Sequence, residues 1–91
     1  MVSVKYEVNI KNACRFERID YSGFWRGYRR GLARRQHGEE HGTDAEHKAW
    51  MEKAESHENK SSFCHGLGYR AGFAGKEAAK LYDTRKAIIG K

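Results

Sequence analysis

Apolar and polar side chains alternate strictly at the start of the chain: Val2, Val4, Tyr6, Val8 and Ile10 are separated by Ser3, Lys5, Glu7 and Asn9. A period of two marks a β-strand with one face buried, because successive side chains in a strand point to opposite faces. One strand cannot satisfy its own backbone. The pattern therefore predicts a hairpin, turning at Lys11-Asn12 and returning over residues 14–19 with Cys14, Phe16 and Arg18 on one face, or else pairing with another chain.

From Ser22 the period becomes helical. At about 100° per residue, Gly23, Gly27 and Gly31 share one arc and Phe24, Trp25, Tyr28 and Leu32 the next, while Arg26, Arg29, Arg30 and Arg34 cover most of the remainder. Within this segment lies a string that the chain contains twice, GYRRGLA at 27–33 and GYRAGFA at 68–74. In the second copy Gly68, Gly72 and Gly75 share an arc, and Tyr69 and Phe73 stand where Tyr28 and Leu32 do. An interior glycine costs a helix roughly 1 kcal/mol relative to alanine. Close approach of another backbone is the compensation that only glycine permits, so the repeats are expected to pair as crossed or antiparallel helices in tight contact.

Between the copies, residues 37–42 are turn-rich, and Thr43-Asp-Ala-Glu46 matches a capping box at a helix start. A short helix over 43–56 follows, with Ala45, Ala49, Trp50 and Ala54 as a weak apolar face, and a polar linker over 57–62. The second repeat helix and its C-terminal extension span 62–89, where Ala78, Leu81, Tyr82, Ile88 and Ile89 continue the stripe with a candidate break at 83–84. The expectation is one α+β domain, predominantly helical. A strand or hairpin region at 2–20 precedes three or four helices, the first repeat helix occupying 22–36.

Composition narrows the function classes. Ninety-one residues with 38% hydrophobic content build one modest core, and 18 Lys and Arg against 12 Asp and Glu leave a net charge of +6. That balance favours phosphate-rich or acidic partners. No apolar run approaches the ~20 residues that cross a bilayer, two cysteines are too few for a secreted disulfide framework, and the N-terminus shows no signal-peptide pattern. A cytoplasmic protein that does not enter a membrane is expected.

Candidate chemistry concentrates on the first repeat. Arg26, Arg29, Arg30, Arg34 and Arg35 lie within ten residues, and guanidinium groups bind phosphates and stack on bases. Their second-copy equivalents are Leu67, Arg70, Ala71, Gly75 and Lys76, so the copies share packing residues and diverge in charge. A first helix facing a polyanion and a second buttressing it would produce this. Tyr21, Trp25 and Trp50 could stack on unpaired bases, whereas Tyr28 and Tyr69, which repeat, fit a core. The candidate contacts with nucleic acid or an acidic partner are Arg26, Arg29, Arg30, Arg34, Arg35, Arg70 and Trp25. His37 and His41 have zinc-compatible spacing only on a helix, which Gly38 and Gly42 oppose, and no CxxC or HExxH is present. Phosphate-cradling and nucleophile-elbow motifs are missing and the acids cluster like a solvated surface, so no cofactor, metal or catalysis is expected.

The doubled Gly-Tyr-Arg-x-Gly-x-Ala block, at residues 27–33 and 66–75, resembles the ribosome modulation factor family of small basic bacterial proteins. The resemblance implies an RNA-facing helical pair that docks on a ribosome and silences it, with Arg26, Arg29, Arg30, Arg34 and Arg70 touching phosphates. In general type the chain also resembles the small inhibitors of phages and mobile elements, anti-CRISPR proteins among them. On that reading residues 2–10 offer an exposed edge strand to a host complex such as a CRISPR effector, while the arginines block its nucleic-acid site. Both readings are of a non-enzymatic binding protein, and whether it acts as monomer or dimer is open.

Overall fold

From Val4 onward the segment with strict alternation is a helix, and residues 2 and 3 lie outside the described residues. The computed structural model describes residues 4–20, 23–55 and 59–89. In it α1 spans Val4–Glu17, α2 Phe24–His37, α3 Asp44–Lys53, α4 Lys60–Phe73 and α5 Ala78–Ile89, with a 3-10 turn at Gly38–His41. No strand occurs among the described residues, so the α+β expectation, with its N-terminal strand or hairpin at 2–20, is corrected to an all-helical fold. The reason lies in a coincidence of periods. Positions 6 and 10 are two steps apart in an alternating pattern and also one helical turn apart. Tyr6, Ile10, Ala13 and Phe16 form the stripe against the core, Val8 stays 50% exposed, and Asn9, which alternation turns outward, is buried. A helix satisfies its own backbone, and the chain around Lys11-Asn12, expected to turn, continues straight through.

The glycines of the two repeats make the central contact. A Cβ on Gly27 would collide with the carbonyl of His65, one on Gly31 with that of Tyr69, one on Gly68 with that of Phe24 and one on Gly72 with that of Tyr28. These pairs advance together along both helices, so α2 and α4 run in the same direction where they touch. This corrects the antiparallel alternative. The approach is close enough for Cα–H groups to face carbonyl oxygens, at about 0.5–1 kcal/mol each, comparable with the roughly 1 kcal/mol that a glycine costs a helix. The other two glycines of the sequence arcs, Gly23 and Gly75, lie outside the seam. Gly23, at φ 93°, precedes α2 and faces the His65 imidazole. Gly75, at φ 79°, ends α4, where its N–H donates to the Gly72 carbonyl (3.0 Å) and that of Lys76 to the Ala71 carbonyl (3.2 Å). This is the left-handed closure that glycine adopts without steric penalty, so Gly75 is a stop signal and not a packing residue. The chain breaks there, and α5 runs uninterrupted through 83–84.

The repetition reaches beyond the seven-residue string. α1–α2 and α3–α4 are two helical pairs at the repeat offset of 68 − 27 = 41 residues. Ala13 and Ala54, which differ by that offset, are 0% and 6% exposed. In each pair the arginine of the Gly-Tyr-Arg triplet turns back to an acid at or beyond the end of the preceding helix: Arg29 to Glu17 at 2.6 Å and Arg70 to Glu55 at 3.1 Å. A two-fold pseudo-symmetry thus relates the halves, and the glycine seam lies on its axis.

Aromatic clusters flank the seam. On one side Trp25, fully buried, contacts Phe24, Tyr28 and Phe16, and Phe16 stacks on Tyr82 of α5 at 4.1 Å. On the other, Trp50 of α3 stacks on Tyr69 at 5.4 Å, and His47 packs on Tyr69 and Phe73. Helix starts are capped locally at α3, where the Thr43 hydroxyl accepts from the Glu46 N–H at 3.2 Å, and at α4, where Asn59 accepts from Ser62 at 3.1 Å. At α5 the acceptor comes from 69 residues away: Asn9 Oδ1 takes the Ala78 N–H at 2.9 Å. No helix among the described residues is long and apolar enough to cross a membrane.

Candidate nucleic-acid interface

The seven residues expected to meet a partner separate into three groups. Arg26, Arg29 and Arg30 share the outer face of α2 because residues three and four apart on a helix are neighbours. α1 packs beside that face, and Tyr6 and Ile10 join the three arginines and Ala33 around an open groove of about 440 Å³. This falls within the ~300–1,000 Å³ of ordinary ligand clefts. Half of its lining is aromatic or aliphatic and half is guanidinium-bearing. Arg26 is exposed and forms no ion pair with a described residue. Arg30 is half-exposed and reaches Glu46 at 3.4 Å, and Arg29 holds Glu17 at 2.6 Å. The Arg30–Glu46 pair, about half exposed, contributes about 0–1 kcal/mol, so an incoming phosphate can displace Glu46 at little cost, whereas the Arg29–Glu17 pair, with side chains 35% and 33% exposed, is the more enclosed of the two.

Arg34, Arg35 and Arg70 serve the fold instead. Arg34, only 9% exposed, donates to the Gly42 carbonyl and to Asp44 at 2.8 Å, fastening the start of α3 and the residue after the 3-10 turn to α2. Arg35 donates to the carbonyl of Phe73 at 2.9 Å, at the end of α4. Arg70 donates to the Met51 carbonyl at 3.2 Å and to Glu55, joining α4 to α3. Their sequence neighbours hid this, since the acids and carbonyls they meet arrive from other elements.

Trp25 belongs to neither group. It is 0% exposed at the centre of the first aromatic cluster, which corrects its assignment to the interface: residues 25 and 28 turn inward together once the glycine arc faces α4. Tyr21 lies outside the described residues. Trp50, half-buried, is the tryptophan at the surface, with Lys53 Nζ 4.1 Å and Arg30 Cζ 5.7 Å from its ring centroid.

The charges around this surface register on His65, which sits 5.9 Å from Trp50. Burial first, and then the positive charges of Lys53 and Arg26, hold its imidazole below the ordinary value of 6.5. Lys53 from α3 and Arg26 from α2 therefore act on one spot. Burial likewise raises Tyr69, whose hydroxyl meets His47 Nδ1 at 2.7 Å. Among the described residues no three His, Cys, Asp or Glu side chains gather as a metal would need, and Cys14 and Cys64 are both free thiols.

Sequence reading missed three contributors: Tyr6 and Ile10, assigned to a strand, and Lys53, which lies on α3 and not on the arginine helix. The i, i+4 spacing of Tyr6 and Ile10, read as helical, was the available signal. No family model matches this chain, and neither a curated protein nor a solved structure matches it.

Proposed function

We propose that this is a non-enzymatic, cytoplasmic binding protein that engages RNA or a ribonucleoprotein through the groove between α1 and α2, with the glycine seam and the second helical pair holding α2 in place. The observation that carries the reading is that Arg26, Arg29 and Arg30 line one groove together with Tyr6, Ile10 and Ala33. Guanidinium groups match phosphate geometry, and apolar side chains beside them accommodate a base or ribose. The +6 charge of the chain draws a polyanion towards it. Silencing of a ribosome is the role implied by the resemblance of the doubled glycine-tyrosine-arginine block. The inhibitor alternative drew its docking surface from an edge strand at 2–10, and that segment is helical from Val4 onward. What remains of it is the same arginine groove set against acidic side chains.

The test is fluorescence anisotropy with a short labelled RNA across a salt series. Three phosphates neutralised on a single strand give a slope of log K against log salt of about −2. Changing Arg26, Arg29 and Arg30 together to Glu should abolish binding, and circular dichroism checks that the variant is folded, since the Arg29–Glu17 pair, 35% and 33% exposed, is broken with it. Unaltered RNA affinity in that variant would remove the groove from consideration. Binding to a protein partner that survives nuclease and high salt would favour the inhibitor instead.

A further inference from the structure

We propose that Trp50 is a stacking platform for an unpaired base, so that the RNA reaching this protein is single-stranded where it passes from the groove across Arg30 to α3. The inference rests on the RNA reading above and names the form of RNA that the surface accepts.

Trp50 is half-buried and stacked on a buried neighbour. Its ring lies 13° from parallel to that of Tyr69, with centroids 5.4 Å apart. Tyr69 is only 2% exposed and further fixed by His47. Cations surround Trp50: Lys53 Nζ over the ring and Arg30 within cation–π range. Arg30 is shared, since the same side chain lines the α1–α2 groove with Arg26 and Arg29. Groove and platform are therefore continuous through one guanidinium. An exposed cation–π contact is weaker than the stacking of a base on an aromatic ring. A base therefore takes the ring, and the displaced Lys53 ammonium remains beside it to meet the phosphate.

The repeat points the same way. The position equivalent to Trp50 in the first half is 50 − 41 = 9, occupied by Asn9. Asn9 is buried and caps α5, while its counterpart is a half-exposed tryptophan ringed by positive charge. The halves share their packing and differ at this point. Duplex RNA, whose bases are already stacked on both faces, would leave Trp50 unused.

The experiment compares a fluorescein-labelled single-stranded RNA of mixed sequence with a duplex containing it, using the full chain, Trp50→Ala and Trp50→Phe. Circular dichroism checks that each variant is folded. Loss of one base–aromatic stack corresponds to a roughly 5- to 150-fold weaker affinity. The expected result is that decrease for single-stranded RNA with Trp50→Ala, a smaller one with Trp50→Phe, and no change for the duplex. Tryptophan emission of the parent should quench on adding single-stranded RNA, and that quench should vanish in Trp50→Phe, a variant that keeps a ring on Tyr69. If the parent binds RNA but prefers the duplex, or if both substitutions leave affinity and quench unchanged, the platform is refuted while the groove stands. If the parent binds neither form, the RNA reading fails and takes the platform with it.

Discussion

Tyr28 and Tyr69 occupy equivalent places in the two repeats and spend their hydroxyls differently. Tyr28 donates to the carbonyl of Lys76 at 2.6 Å, tying α2 to the link between α4 and α5, whereas Tyr69 meets His47 Nδ1 at 2.7 Å within the second helical pair. Both are buried. The rings repeat because each fills the space beside the glycine seam, and the hydroxyls diverge because different elements follow each repeat.

Removing the Tyr28 hydroxyl isolates one of these bonds. Tyr28→Phe leaves the Lys76 carbonyl without this donor and should lower stability by about 1 kcal/mol, read as a shift of the urea midpoint. Burial foremost, then the charge of Glu77, pushes the phenol up to about 12 from its ordinary 10.0. The unfolded chain releases that proton near 10 while the folded one retains it. Stability is therefore full below about pH 10 and declines as pH rises towards 12. An alkaline absorbance titration should show a late component that Tyr28→Phe removes.

At the seam, alanine should behave contrary to its helix propensity. Gly72→Ala gains roughly 1 kcal/mol of intrinsic preference but sets a Cβ against the Tyr28 carbonyl. Overpacking of this kind costs about 1–3 kcal/mol, and the obstruction is backbone, which moves only with the helix. Gly27→Leu and Gly72→Leu should fall further. Thermal melts decide the matter: variants that melt with the parent would mean the helices separate without penalty.

The remote cap of α5 gives a third expectation. Asn9→Leu removes the acceptor of the Ala78 N–H in a buried setting. It should cost about 0.5–2 kcal/mol, the range for lost N-caps. Asn9→Asp keeps an acceptor oxygen beside the positive end of α5 and should retain most of the stability. Hydrogen exchange at the start of α5 should quicken in the first variant and not in the second.

His65 makes stability depend on mild acid. Its imidazole is held below 6.5 by burial and by Lys53 and Arg26, so near neutrality the unfolded chain binds the proton more readily than the folded one. Stability is present above the unfolded value and diminishes as pH falls through it, until the folded imidazole also protonates. Melting temperatures followed from about pH 8 to pH 5 should decline more in the parent than in His65→Gln. Parallel profiles would show that neither burial nor the charges of Lys53 and Arg26 depress this ring.

The glycine arcs of α2 and α4 and the Thr43 cap were legible in the chain itself, because a helix writes its contacts every three to four residues and a cap is a purely local bond. The cluster of arginines was legible for the same reason. Their allotment was not. Arg34 meets the Gly42 carbonyl and Asp44, and Arg70 meets Met51 and Glu55, across turns that only the assembled helices bring together. Trp25 went inward and Trp50 outward through the same global choice, the side of α2 on which α4 settles. At residues 4–10 local pattern admitted two answers, since alternation and the helical turn coincide at every fourth position. The decision fell to backbone hydrogen bonds, which a helix closes within itself, and to the stripe of Tyr6, Ile10 and Phe16 that reaches the core only when the segment is wound.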